Sequence, residues 1–319
     1  MNKKTLLSAI FVITIGVFLF AKDAFAGAWT VPKYKVWGEY YTKISYAKDS
    51  FNSDGNLQSS RSIAAKNFRD QILTMEPKLE YGVTDWLTAL TSLEYKQSNY
   101  KEYNRTPVVF DEPYAEGYTV KNNGIVNVKV GARWRIIDAP VVLSAQTKVF
   151  IYTGYGVNHG EKRNVADYPD AIVDLQHTPT IGYGNDSLEQ RLMIGKTFSI
   201  PITGDFKLPC YFGAEAGYRW NNRGVCNGVP WFLEGGFWPF EWLLLKTELD
   251  AYKTQDGTGK FEESYGIWRS GVVWQVFGGD SILRQGNKLF NLELDYGMTI
   301  WGKNTSAYRE FIMKVQTQF

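Results

Sequence analysis

VNVKVGARWRIIDAPVVLSAQTKVFIY, residues 126–152, is the stretch that decides the fold. Val126, Val128, Val130, Ala132, Trp134 and Ile136 interleave with Asn127, Lys129, Gly131, Arg133 and Arg135. After a turn at Asp138-Ala139-Pro140, the residues Val141, Leu143, Ala145, Thr147, Val149 and Ile151 interleave with Ser144, Gln146, Lys148 and Tyr152. Successive residues of an extended strand point to opposite faces, so a period of two sustained on both sides of a short turn describes a hairpin. One face is apolar and the other charged.

The pattern continues in both directions. Upstream it covers Lys35–Tyr46, Phe68–Tyr81 and Leu87–Tyr95, the last two joined by the short turn Gly82-Val83-Thr84-Asp85, and a long polar loop is expected at 97–123. Downstream, beyond a long connection at Thr153–Asp186, it covers Leu188–Thr197, Lys207–Trp220, Trp231–Phe237, Leu243–Ala251, Trp268–Val276, Phe290–Met298 and Phe311–Phe319. Twelve strands result, with short and generally longer connections alternating and both ends of the barrel on the short-turn side. This predicts an all-β fold, a transmembrane antiparallel up-and-down barrel, because an even strand count and apolar-out, polar-in alternation are the marks of outer-membrane barrels. A soluble sandwich or lipocalin-like barrel has less need of aromatics at both rims and at the terminus. The aromatic content of 16%, with mean hydropathy only −0.28, fits strands that show lipid every second residue.

The amino terminus carries Lys3 and Lys4, an uncharged and mostly apolar stretch from Thr5 to Ala21, and a small-x-small site at Ala24-Phe25-Ala26. These are the parts of a secretory signal peptide, expected to be cleaved before Gly27, leaving residues 27–319 as the barrel domain. Residues 1–26 hold Lys3, Lys4, Lys22 and Asp23, so the mature chain is electrically neutral. A neutral chain has no overall field for nucleic acid. The expected setting is the outer membrane of a Gram-negative bacterium, with the lipid bilayer, the barrel-assembly machinery and small-molecule solutes as partners. Phe319, the terminal aromatic of the last strand, is the expected assembly signal.

Cys210 falls near one end of a strand and Cys226 in the loop beyond its other end, too far apart for a disulfide, so two thiols are expected. Catalysis needs a constellation, and none is legible. His159 and His177 are the only histidines and share one loop, no G-x-S-x-G or zinc pattern occurs, and Asp167, Asp170 and Asp174 read as solvated loop acids. The expectation is a non-enzyme without a cofactor or a metal.

Function therefore falls to the lumen. By parity, Lys129, Arg133, Arg135, Lys148, Arg191 and Arg219 point inward from the middle strands with Glu215, while Glu248, Asp250, Glu293 and Asp295 face them from later strands with Lys246 and Arg269. Two readings stay open: a transverse field that orients dipolar solutes, or neighbouring ion pairs that hold the barrel together. The length of the Thr153–Asp186 loop and its apolar Ala171-Ile172-Val173 centre suggest that it folds into the lumen and narrows it.

Three blocks carry a resemblance: Leu79-Glu80-Tyr81-Gly82-Val83-Thr84-Asp85-Trp86-Leu87, Asn127-Val128-Lys129-Val130-Gly131-Ala132-Arg133-Trp134-Arg135, and Ala214-Glu215-Ala216-Gly217-Tyr218-Arg219. They resemble the outer-membrane family named for the MetA pathway of phenol degradation, loosely over most of the mature chain. The resemblance implies a transporter barrel for small, often aromatic or apolar, compounds and carries over no binding residues. The sequence thus predicts a passive channel or facilitator with a mixed-charge lumen. The alternative is a plugged structural or surface-interaction barrel, serving adhesion or polysaccharide export, whose loops bind a partner.

Overall fold

The computed structural model describes residues 28–59, 69–105, 115–153, 184–203, 206–222, 225–255, 262–277 and 289–318. Its strands are β1 (Val36–Phe51), β2 (Leu57–Ser59), β3 (Arg69–Thr84), β4 (Leu87–Arg105), β5 (Ala115–Ile137), β6 (Val142–Tyr152), β7 (Ser187–Thr203), β8 (Phe206–Asn221), β9 (Gly228–Phe240), β10 (Leu243–Thr254), β11 (Ser264–Phe277), β12 (Leu289–Lys303) and β13 (Thr305–Gln318). β2 is a three-residue flap on the far end of β1. The other twelve pair antiparallel in chain order, and β13 closes on β1 with Trp37 opposite Gln318 and Ile44 opposite Phe311. Closure leaves the twelve barrel strands without an edge, which is what lets strands cross lipid without unpaired backbone groups.

The outside of the wall carries the apolar half of each alternation. Leu79 and Tyr81 of β3, Leu192 and Ile194 of β7, Phe212 of β8, Leu294 of β12 and Phe311 and Met313 of β13 are all exposed large hydrophobics. In water such a belt would drive aggregation, whereas in a bilayer it is the solvation surface. Trp86, Phe240 and Trp242 stand at the short turns, with Phe240 and Trp242 stacked at 5.4 Å, and Trp220 stands near the opposite rim. These rings form the interfacial girdles. The β3–β4, β5–β6, β7–β8 and β9–β10 turns and both described chain ends share one rim, which by the rule for these barrels is periplasmic.

Three expectations need correction. The polar stretch 97–123 is not a loop through most of its length: β4 and β5 stay in register from Gln97↔Asn123 to Arg105↔Ala115. Polar composition misled here because a hairpin projecting beyond the bilayer needs hydrogen bonds but no apolar face. The last strand begins at Thr305 and follows β12 after Asn304 alone, in a left-handed conformation (φ 51°) that asparagine tolerates. This outward-side connection is therefore short. Finally, Val126 does not face lipid. The register jumps from Glu94↔Asn127 to Tyr95↔Ile125, and the extra residue this bulge inserts turns Val126 into the wall, where it is 1% exposed.

No disulfide joins the buried Cys210 and Cys226. The loop residues 154–183, including both histidines, lie outside the described residues, as do residues 1–27 and Phe319.

Candidate functional site: the lumen and its floor

Inward alternation brings the charged faces of all twelve strands around one cavity of about 680 Å³. Of the residues expected there, Lys129, Arg133, Glu215, Arg219, Lys246, Glu248, Asp250, Arg269 and Glu293 line it. The other four stand on inward faces but are held in or near the wall. Arg191 is clamped by Glu189 (2.6 Å) and Glu215 (2.9 Å), Arg135 pairs with Asp138 of the turn (3.1 Å), and Asp295 packs where Gly271 leaves room. Lys148 stands opposite Gly131 and Glu189 in the register.

The wall carries several clusters of ion pairs between neighbouring strands. Lys129 bridges Glu76 (2.9 Å) and Glu94 (3.1 Å), and Arg133 grips Glu80 with both terminal nitrogens, each at 3.0 Å. Glu189 receives Arg191 and, at 2.5 Å, Arg219. On the far side Lys246 touches Glu234, Glu248 and Glu293, while Arg269 reaches Glu248 (2.9 Å), Glu310 (3.0 Å) and Asp250 (3.3 Å). Glu310 also holds Lys43, and Lys314 holds Glu293. Ions this deeply enclosed are stable only when paired, so pairing between neighbouring strands is the structural half of the answer. Glu39, Lys43, Glu76, Lys78, Glu80, Glu94, Lys96, Glu310 and Lys314 complete the lattice, and the same parity rule marks them in the sequence.

Pairing does not cancel the transverse asymmetry. Across β4–β8, Lys96, Lys129, Arg133, Arg135, Lys148, Arg191 and Arg219 outnumber Glu94, Glu189 and Glu215. Across β9–β13, Glu234, Glu248, Asp250, Glu293, Asp295 and Glu310 outnumber Lys246, Arg269 and Lys314. Two opposed sectors of inverse charge therefore face each other across the cavity.

A second feature has no counterpart in the alternation. The segment from Ala28 to Lys35 folds back inside the periplasmic mouth as a strap. Its course is fixed by hydrogen bonds to the wall: Tyr34 N donates to Gly82 O (2.7 Å), Val31 N to Thr88 Oγ1 (2.8 Å) and Thr30 Oγ1 to Asp85 O (2.7 Å). Arg133 Nη1 donates to Trp29 O (2.8 Å), and Ser144 Oγ donates to Ala28 O. The strap thus runs from the β3–β4 turn across to β6. There Ala28 and Trp29 join Val142, Met193, Tyr211, Trp238, Leu244 and Val273 in one buried apolar cluster, five of whose members, Trp29, Tyr211, Trp238, Leu244 and Val273, also line the cavity. Tyr211 and Trp238 pack at 5.3 Å within it.

The wall has holes shaped for the strap. A β-carbon on Gly195 would overlap the Trp29 ring, and one on Gly82 would overlap the Pro32 carbonyl. Burying a large apolar side chain contributes roughly 2–3 kcal/mol, so Trp29 alone biases the mouth toward closure by about thirtyfold or more. Gly195→Val is expected to unseat Trp29 and make the folded barrel conduct in a planar bilayer where the parent does not. A silent variant would count against the seat.

Among solved structures, the chain is similar to an outer-membrane channel from Pseudomonas putida F1, at 12% identity over 93% of this chain and 99% of that one, with a TM-score of 0.56. The fold is that of an outer-membrane barrel. Looser overlays are with a Pseudomonas aeruginosa FadL homologue (8% identity, 89% of each chain, TM-score 0.35) and with the transport unit of the autotransporter AIDA-I from Escherichia coli (9%, 97% and 96%, 0.45). No family model and no curated protein matches the chain.

Proposed function

We infer that this barrel is a passive outer-membrane channel for small solutes whose periplasmic exit is closed by its own strap. The observation that carries this reading is the cavity itself: a lumen lined by charged side chains from around the wall, with Trp29 of the strap buried in the apolar cluster beside it. A barrel built only as a scaffold needs no such cavity. The MetA-type resemblance supports small organic compounds as cargo, and the ion-pair lattice narrows them to solutes that tolerate a polar path. The strap also favours a second reading, a plugged structural barrel whose loops bind a partner. Lipid vesicles carrying the barrel without its strap distinguish the two. Influx of small sugars and amino acids, well above that of vesicles with the intact protein, is the expected result. A folded but impermeable strap-free barrel would support the structural reading instead.

A further inference from the structure

Arg219 of β8 and Asp250 of β10 stand on either side of β9, where the basic and acidic sectors adjoin. Arg219 gives its Nε (2.8 Å) and Nη2 (2.5 Å) to one oxygen of Glu189, which leaves Nη1 with no hydrogen bond among the described residues. Its guanidinium carbon lies over two rings, 4.5 Å from the centre of Phe150 and 5.3 Å from that of Tyr252. Cation–π contacts of this kind restrain the guanidinium beside the aromatic surfaces. Asp250 precedes Tyr252 by two residues on the same inward face of β10. Its side chain is 33% exposed, its Oδ2 accepts from Arg269, and its Oδ1 accepts no hydrogen bond among the described residues. Phe232 lies opposite Asp250 in the neighbouring strand, and all five side chains line the cavity.

We propose that this cluster is a binding site for α-amino-acid zwitterions with an apolar side chain. The carboxylate docks on the free edge of Arg219, the ammonium on Oδ1 of Asp250, and the side chain against Phe150, Phe232 and Tyr252. An anion alone would meet the carboxylates of β9–β13, and a cation alone would meet the basic sector. A solute with both charges gains from both walls at once. The aromatic surfaces add an apolar contact that a small hydrophilic zwitterion lacks. The site rests on the channel reading, since it lies on the path that reading assigns to solutes.

The test is calorimetric titration of the detergent-solubilised full-length barrel with four probes of one shape: L-phenylalanine, its cationic amide, its anionic N-acetyl form and the neutral N-acetyl amide. Saturable binding of L-phenylalanine, with each capped probe weaker by about tenfold, is expected from the loss of a charged hydrogen bond. Asp250→Asn should weaken L-phenylalanine and its amide by about tenfold and leave the N-acetyl forms unchanged. This variant keeps Arg269 anchored on Glu248 and Glu310. Absence of L-phenylalanine binding, equal binding of the neutral probe, or an Asp250→Asn protein that binds as before would each overturn the site. Binding needs no passage, so selective binding by an impermeable barrel would overturn the channel reading alone. Passage of all four probes without selective binding would overturn only the zwitterion site.

Discussion

Deleting residues 28–34 is expected to turn a closed barrel into a conducting one. The strap is attached to the wall by hydrogen bonds and by Trp29, not by the strand ladder, so its loss leaves the closing register Trp37↔Gln318 untouched. What it removes is the central part of the floor. Ala28 and Trp29 disappear from a cluster whose other members, Val142, Met193, Tyr211, Trp238, Leu244 and Val273, come from six different strands around the rim. Side chains on a closed wall cannot collapse onto one another across a barrel of this strand number, because its interior is too wide for them to fill. Water then connects the lumen to the periplasm. Arg133 loses the Trp29 carbonyl but keeps Glu80 and Gln146, so the ion-pair lattice survives. Heat-modifiable migration of the deleted protein checks that the barrel has folded.

The largest expected loss of stability comes from Glu189→Ala. Glu189 is 1% exposed and accepts from Arg191 Nε at 2.6 Å and from Arg219 at 2.8 and 2.5 Å. Truncation leaves two enclosed guanidinium groups without their shared counter-ion. Arg191 retains Glu215, whereas among the described residues Arg219 retains its two rings. Breaking a buried pair from one side costs about 3–5 kcal/mol, to be read as a lower urea midpoint for unfolding in lipid vesicles. Glu189→Gln keeps an acceptor oxygen in place and should lose less. An alanine variant within about 0.5 kcal/mol of the parent, the range of neutral surface substitutions, would show that Glu189 is not a keystone of the lattice.

Most of the fold was legible because strand geometry writes itself into sequence at a period of two. Lys129, Arg133 and Arg219 could be assigned to the lumen without knowing any partner, since parity alone decides the face. Choice of partner was not legible. Whether Lys129 meets Glu76 and Glu94 depends on inter-strand register, and a bulge such as that at Val126 shifts it with no marker in composition. The question of field against pairing was open for the same reason: the ion pairs become visible only once the partners across the strands are known. The strap escaped altogether: Ala28–Lys35 has no period, and a tryptophan just before the first strand reads as an interface anchor. Its only trace elsewhere is Gly195 and Gly82, small residues inside strands whose meaning appears once the neighbouring ring and carbonyl are known.

Planar-bilayer recording of the intact and strap-deleted barrels under identical salt and voltage addresses the closed mouth most directly. A strap that seals the lumen predicts that the intact protein is silent or opens only briefly, and that the deleted protein shows steady unitary currents. Equal conductance of the two, or silence of a folded strap-deleted barrel, would contradict it.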